Sequence, residues 1–219
     1  MRWPTLTHYL DSIKNRPHNN RDLGILFTGP VGEGKSTVAF QVLSYLDPEF
    51  GVDNCHFTID VALPAAAATR KYRAWLLDEA HISGRKAMHG ELQRLNDYLQ
   101  ICRGLNHYWG VCFHQDKRVD KPIMERVFVN MHIPHRGVLQ IRVLKKNYET
   151  QKQPWRVVAA YRVAENHGAE WQRYDAKKDA HMRSVAHGDE PQRKTAADLG
   201  FNEQALAEGI QRMKEAITA

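Results

Sequence analysis

The sequence predicts an α/β fold with a mainly parallel central sheet, followed by a β-rich C-terminal extension and a terminal helix. Up to residue 122, apolar runs of strand length alternate with segments of helical periodicity, which is typical of parallel strands joined by helices. Beyond it, three strand-like runs follow one another with only polar or turn-prone residues between them. The composition is that of a folded protein, because 42% of the 219 residues are hydrophobic and 26% are charged.

The first predicted elements are a helix, a buried strand and a second helix. Residues 4–15 place apolar side chains at helical spacing and predict a short leading helix. Residues 23–28 (LGILFT) form a continuous apolar run, which is typical of a central strand covered on both faces. A glycine-rich segment follows, and residues 35–46 then predict a helix. A second strand is predicted at 55–59.

The later elements continue this alternation and then depart from it. Strands are predicted at residues 73–77 and 108–113, with a helix over 91–102 between them. This order favours a parallel sheet with helices on its faces. The late strands of the β-rich extension are predicted at 127–133, 138–144 and 155–163.

The tail of the chain has a composition of its own. From residue 188 onward it is polar and alanine-rich, with apolar side chains at helical spacing, so it predicts a helical appendage. We therefore expect an α/β domain over residues 1–187, with its core at about 22–145. The appendage occupies residues 188–219, and we expect it to dock or cap rather than to read DNA.

Charge, cysteine content and hydropathy narrow the classes of protein. The formal net charge of +6 makes an anionic partner plausible. Three cysteines without a C-x-x-C pair argue against a disulfide framework and against a four-ligand zinc site. No apolar run approaches the roughly 20 residues of a membrane-spanning helix, and no signal-peptide pattern opens the sequence. We expect a cytoplasmic protein without a membrane-spanning segment.

A phosphate-binding motif lies between the first buried strand and the helix after it. Residues 29–36 (GPVGEGKS) match G-x-x-x-x-G-K-[ST], the Walker A motif. In such a loop the backbone N–H groups surround the β-phosphate, Lys35 reaches the β- and γ-oxygens, and Ser36 offers its hydroxyl to Mg²⁺. The sequence therefore predicts ATP and Mg²⁺ as ligands. The predicted nucleotide-binding residues are Gly29, Pro30, Val31, Gly32, Glu33, Gly34, Lys35, Ser36, Thr37 and Asp78.

Two adjacent carboxylates end a second apolar strand. The run WLL is followed directly by Asp78 and Glu79, the arrangement expected of a Walker B element. Asp78 is predicted to hold Mg²⁺ through its water shell, together with Ser36. Glu79 is predicted to polarise the attacking water as the catalytic base. The pair favours hydrolysis of the nucleotide over binding alone.

A third strand end carries an amide, and an arginine precedes that strand. Gln115 closes the strand that follows Walker B, and Arg103 lies in the turn after the intervening helix. With the two Walker motifs, this order resembles the FtsK/HerA superfamily of P-loop ATPases, including viral genome-packaging and Zot-like ATPases. The resemblance covers about residues 22–145. A weaker similarity at 171–175 matches an aromatic-Tyr-Asp-Thr element, with Ala176 in place of the threonine.

The resemblance implies a RecA/HerA-like P-loop fold and further catalytic residues. Gln115 would sense the γ-phosphate, although a polar residue at a strand end can also be a simple cap. Arg103 would reach the nucleotide of a neighbouring subunit, with Arg85, Arg118 and Arg126 as rivals for that role. The implied partners are double-stranded DNA, further copies of the chain in a ring of hexameric type, and a portal or virion protein.

Basic residues recur after the core, interleaved with aromatic ones. They form either a DNA-facing strip or a solvated charged hairpin. The basic members are Arg136, Arg142, Lys145, Lys146, Lys152 and Arg156, and the aromatic ones are Tyr148 and Trp155.

Together these features predict an ATP-hydrolysing DNA translocase that packages viral or mobile-element DNA. The alternative is a Zot-like morphogenesis ATPase or nucleotide-dependent switch that acts on protein partners. A small-molecule kinase is a weaker third reading, because no arginine-rich lid sequence is evident. Stimulation of ATP hydrolysis by double-stranded DNA distinguishes the first two. For a viral chain, the expected location is the host cytoplasm or the virion.

Overall fold

The described part of the protein is built on a seven-stranded sheet, in the order β2-β3-β4-β1-β5-β6-β7. The computed structural model describes residues 4–15, 22–78, 85–114, 121–144 and 155–187. The strands are β1 (Leu23–Thr28), β2 (Cys55–His56), β3 (Ala74–Leu77), β4 (Tyr108–Phe113), β5 (Val127–His135), β6 (Val138–Leu144) and β7 (Trp155–Arg162). The helices are α1 (Leu6–Lys14), α2 (Lys35–Leu46), α3 (Ile59–Ala67), α4 (Arg85–Ile101), α5 (Lys121–Met124) and α6 (Ala169–Ala186).

The parallel part of the sheet brings the two Walker strands close together. β4 lies between β1 and β3 and pairs with both in parallel, and β5 continues the parallel arrangement on the other side of β1. β6 and β7 then pair in antiparallel orientation and form the β-rich extension. Because β1 and β3 are separated by one strand only, the loops after their carboxyl ends lie at the same edge of the sheet. This is a mixed α/β fold with a mostly parallel sheet, as the sequence predicts.

Two apolar cores cover the two faces of the sheet. One contains Phe27, Leu43 and the α6 residue Tyr174, and the other contains Trp75 and Trp109. Burial on both faces explains why β1, β3 and β4 are continuous apolar runs rather than alternating ones. Among the helices in the described ranges, none is long and apolar enough to cross a membrane.

Most predicted elements agree with the structure, and one prediction is wrong. The bounds of β1, α2, β4 and β6 are as expected. The strand predicted at 55–59 is only the two-residue β2, because Thr58 is the N-cap of α3 and the apolar run that follows is helical. Apolar runs without alternation fit a buried strand and a buried helix equally well, so periodicity could not separate them.

The C-terminal part also differs from expectation. The helix α6 begins at Ala169, in a segment where no helix was predicted. The predicted appendage at 188–219 lies outside the described residues. The chain divides into two compact units after Lys178, within α6. The division into 1–187 and 188–219 therefore stays a prediction.

Close packing at Gly24 leads to a first prediction. Gly24 on β1 pairs in register with Trp109 on β4, and a Cβ at Gly24 would lie 2.1 Å from the Trp109 ring. Both residues are inside the sheet, so the ring has little room to move. Gly24→Ala is expected to lower the free energy of unfolding by about 1–3 kcal/mol through overpacking. Urea unfolding followed by circular dichroism measures this, and Gly90→Ala, where a Cβ meets open space, is the control. Equal losses in both variants would contradict the packing argument.

Two buried histidines lead to a prediction about acid. Burial lowers the pKa of His56 and of His107 to about 4, and the nearby Lys177 charge adds to the effect at His56. Below pH 6.5 these two histidines are protonated in the unfolded chain but stay neutral in the folded one. The free energy of unfolding therefore decreases as the pH is lowered from about 6.5 to about 4. The expected loss between pH 7 and pH 5 is on the order of 2 kcal/mol for each histidine. Urea unfolding at the two pH values should show a smaller loss in His107→Gln; an unchanged loss would refute the prediction.

Candidate nucleotide-binding site

The phosphate loop has the backbone shape that its glycines predict. Gly29, Gly32 and Gly34 all have positive φ, at 149°, 81° and 87°. A Cβ at Gly29 would also lie 2.1 Å from the carbonyl oxygen of Ile133 on β5, so this position tolerates no side chain. Gly34 is the N-cap of α2, and the loop therefore leads directly into the helix N-terminus. Val31, at the outer part of the loop, is 72% exposed.

The Walker A lysine lies folded across this loop. Lys35 opens α2, is only 5% exposed, and its Nζ donates a hydrogen bond to the carbonyl oxygen of Pro30 at 2.7 Å. Ser36 and Thr37 complete the first turn of the helix. The loop therefore holds a buried positive charge beside the backbone N–H groups of a helix N-terminus, a combination that suits a phosphate.

Asp78 lies fully buried at the carboxyl end of β3. Its backbone N–H donates to the His56 carbonyl at 2.8 Å, which fixes the chain where the strand ends. The Tyr174 hydroxyl donates to Asp78 Oδ2, and Lys178 Nζ lies 3.1 Å from the same oxygen. Burial by itself would raise the pKa of the Asp78 carboxyl. The Lys178 charge and the Tyr174 hydrogen bond outweigh burial, so this pKa lies below its usual value and the group is ionised at neutral pH.

Lys178 joins the two Walker motifs. Its Nζ donates to Ser36 Oγ at 2.9 Å and contacts Asp78 Oδ2 at 3.1 Å. The lysine side chain is 20% exposed, whereas the aspartate is fully buried. Sequence reasoning missed this residue, because it follows Ser36 by 142 positions and Asp78 by 100. The aromatic-Tyr-Asp similarity at 171–175 was the only nearby signal.

The first half of α6 is fixed by aromatic packing and by a second lysine. Trp171 stacks on Tyr174 with ring centroids 4.9 Å apart, and both rings contact Phe40 on α2. Lys177 Nζ donates to the carbonyl oxygens of Val52 and Cys55 at 3.0 and 2.8 Å. Tyr174 is buried, and its pKa is raised well above the ordinary value, first by burial and then by the Asp78 charge. The phenol therefore acts as a hydrogen-bond donor.

The donor set fits a magnesium ion. Ser36 Oγ and the ionised Asp78 carboxylate already surround one cationic group, the Lys178 ammonium. Asp78 Oδ1 accepts no hydrogen bond of normal geometry from the described residues, although the weakly polar Cys112 thiol interacts with the carboxylate. Hydroxyl and carboxylate oxygens, completed by water and substrate phosphates, are the ligands that Mg²⁺ takes.

Arg136 supports the phosphate loop from the β5–β6 turn. Its backbone N–H donates to Glu33 Oε2 at 2.5 Å, and its guanidinium donates to the Gly32 carbonyl at 3.2 Å. The sequence analysis grouped Arg136 with the basic residues that recur after the core, called the basic strip below. Of the other strip members, Arg142 contacts Gln140 on its own strand, and Arg156 is exposed on β7. The members between residues 145 and 152 lie outside the described residues.

The side chains of the three predicted catalytic residues lie outside the described part of the structure. Glu79 and Gln115 lie outside the described residues; Asp78 directly precedes Glu79, and β4 ends at Phe113, two residues before Gln115. Arg103 belongs to the short 3₁₀ helix Cys102–Leu105, and its side chain is outside the described part. The predicted residues that the structure does bring together are those of the loop, Ser36 and Asp78.

The sequence matches no protein-family model and no curated protein. Among solved structures, it is similar to the cytoplasmic domain of the type VII secretion ATPase EccC from Thermomonospora curvata, at 10% identity and a TM-score of 0.36, over 66% of this chain and 24% of that one. It is also similar to EssC (ATPases 2 and 3) from Geobacillus thermodenitrificans, at 10% identity and a TM-score of 0.35, over 78% of this chain and 45% of that one. The chain spans less than half the length of either.

Proposed function

We propose that this protein binds ATP with Mg²⁺ and hydrolyses it. One observation carries the proposal: the glycine loop, Lys35, the Ser36 hydroxyl and the buried, ionised Asp78 lie together at one edge of the sheet. A structural loop has no need of a buried lysine, three left-handed glycines and a carboxylate kept charged at zero exposure. A triphosphate accounts for all of them.

The roles of the residues follow from their chemistry. The backbone N–H groups of residues 29–34 and the N-terminus of α2 would bind the β-phosphate. Lys35 would exchange the Pro30 carbonyl for the β- and γ-oxygens, because a charged oxygen is the stronger acceptor. Ser36 and Asp78 would hold the cation, which when bound neutralises charge that develops on the phosphates. Glu79, next to Asp78, would accept the proton of the attacking water, and Gln115 would contact the γ-phosphate.

We further propose that hydrolysis drives movement of double-stranded DNA, of viral or mobile-element origin. The net charge of +6 and the exposed Arg156 and Arg162 on β7 support a contact with a phosphate backbone. The alternative is action on protein partners, such as a virion or portal protein, for which the resemblance to Zot-like ATPases is the support.

The rate of ATP hydrolysis with and without double-stranded DNA tests this choice. We expect several-fold stimulation that declines as salt is raised, because backbone contacts release counterions. A polyanion without a duplex structure, such as heparin, is the control. Equal rates with and without DNA would refute translocation and leave the protein-directed alternative.

A ring of copies, with Arg103 completing the site of its neighbour, is part of the same proposal. A single P-loop domain has no second lobe to meet charge on the γ-phosphate, and an arginine supplied in trans can do so. The ATPase rate per subunit should then rise with protein concentration. A rate per subunit that is constant over the whole assembly range would contradict the ring.

A further inference from the structure

Lys178 occupies the position between the two groups expected to hold magnesium. Its ammonium is 2.9 Å from Ser36 Oγ and 3.1 Å from Asp78 Oδ2, within hydrogen-bond distance of both. Tyr174, one helical turn earlier on α6, donates to the same carboxylate oxygen. The ammonium thus contacts the same two oxygen atoms that would be ligands of a divalent ion.

We propose that Lys178 is a tethered cation that holds the magnesium position of the nucleotide-free protein and must leave before Mg²⁺ binds there. This inference rests on the proposed function, because it concerns the same site. An ammonium and a divalent ion cannot share this space, since the ammonium fills the gap between the oxygens and like charges repel at such distances. Binding of Mg²⁺ with nucleotide therefore competes with an internal ion pair.

The lysine can leave without undocking the helix. Its side chain is 20% exposed, so a path to solvent exists, and its four-carbon stem is flexible. The helix is fixed independently by the stacked rings of Trp171 and Tyr174 against Phe40, and by Lys177 on two backbone carbonyls. The device is a single side chain that swings rather than a lid that opens.

The ion pair also explains how Asp78 stays charged while fully buried and without nucleotide. Burial opposes ionisation, and the Lys178 charge is the largest of the contributions that restore it. The ammonium therefore compensates a buried negative charge in the nucleotide-free protein, and a divalent ion bound to the same oxygens would compensate it in turn.

Binding of Mn²⁺ to the nucleotide-free protein tests the proposal. Mn²⁺ accepts the same oxygen ligands as Mg²⁺, and its free concentration is read directly by electron paramagnetic resonance. We expect Lys178→Met to bind one Mn²⁺ at least about tenfold more tightly than the wild type, as follows if the lysine occupies the site nine-tenths of the time. Adding Asp78→Asn to Lys178→Met should abolish the gain, because the gained ion is held by that carboxylate.

Two further variants separate this role from general effects of α6. Arg173→Gln removes a positive charge from the exposed side of the helix, where Arg173 pairs with Glu170, and should leave Mn²⁺ affinity unchanged. Lys177→Met removes a helix anchor without touching the site. If Lys177→Met or Arg173→Gln matched the gain of Lys178→Met, helix release or overall charge would be the cause, and the proposal would be wrong.

Equal Mn²⁺ affinity in the wild type and in Lys178→Met would also overturn it. Circular dichroism checks that the variants fold, and Lys178→Gln, which keeps a polar contact to Asp78, replaces Lys178→Met if the latter unfolds. Binding of a fluorescent ATP analogue to the wild type in excess Mg²⁺ is measured in parallel. Absence of binding in that measurement counts against the proposed function alone, whereas the Mn²⁺ comparison decides the role of Lys178.

Discussion

Lys35→Ala is expected to remove both tight ATP binding and ATP hydrolysis. The Lys35 ammonium is buried against the phosphate loop and donates a hydrogen bond to a loop carbonyl at 2.7 Å. It is therefore positioned to contact the β- and γ-phosphates of a bound nucleotide. A charge-assisted hydrogen bond is worth about 1.5–3 kcal/mol, so the dissociation constant for ATP should rise roughly 10- to 100-fold. Loss of a donor to the transition state should lower the rate by a further factor on the order of 10².

The matched variant is Glu79→Gln, which the sequence predicts to bind ATP normally and to hydrolyse it hardly at all. The two differ because Lys35 contacts the nucleotide in the ground state, whereas a catalytic base acts only in the transition state. Lys71→Ala removes an exposed lysine far from the loop in sequence and controls for charge. Fluorescence titration with an ATP analogue and phosphate-release assays measure both quantities. Wild-type binding in Lys35→Ala would refute the site, and wild-type turnover in Glu79→Gln would refute the base.

The sequence predicts those parts of the fold that short stretches of chain determine. β1, the phosphate loop and α2 could be delimited because a continuous apolar run, the glycine-rich Walker A motif and a helical period follow one another. The two-residue β2 and the helix α3 could not, because an apolar run without alternation suits a strand and a helix alike. Whether such a run forms a strand or a helix depends on how the rest of the protein packs against it, and the local sequence does not contain that information.

Contacts between distant parts of the chain account for the rest. That β4 separates β1 from β3 follows from packing of the whole sheet, although parallel alternation limits the choices. The sequence identified Ser36 and Asp78 through their motifs, and the structure brings them together. Tyr174 belongs to the aromatic-Tyr-Asp element at 171–175 and Lys178 follows it, but neither position indicates locally that α6 would place them on Asp78. Arg136 was assigned for its charge either to a DNA-facing strip or to a solvated charged hairpin, while its contacts are with the phosphate loop and with Glu165.

Asp78→Ala is expected to damage stability and activity together. The substitution removes the acceptor of Tyr174 and Lys178 from a fully buried position, and it removes a predicted ligand of the cation. Breaking a buried pair on one side costs about 3–5 kcal/mol, and the lower end applies because Lys178 is partly exposed and can turn to water. ATP hydrolysis should fall to background. Asp97→Ala, at an exposed position on α4, is the control for loss of a carboxylate.

A second substitution separates the two effects of Asp78→Ala. Adding Lys178→Met removes the ammonium left without its partner, so the double variant should unfold at a higher urea concentration than Asp78→Ala alone, with a coupling on the order of 1–3 kcal/mol. Hydrolysis should stay at background in the double variant, because the lost carboxylate is not replaced. Recovery of stability without recovery of activity is the signature of a carboxylate that serves both the fold and the cation. If the two substitutions lower stability additively, the Asp78–Lys178 ion pair contributes nothing to folding, and the buried carboxylate must be stabilised by Tyr174 and its other neighbours instead.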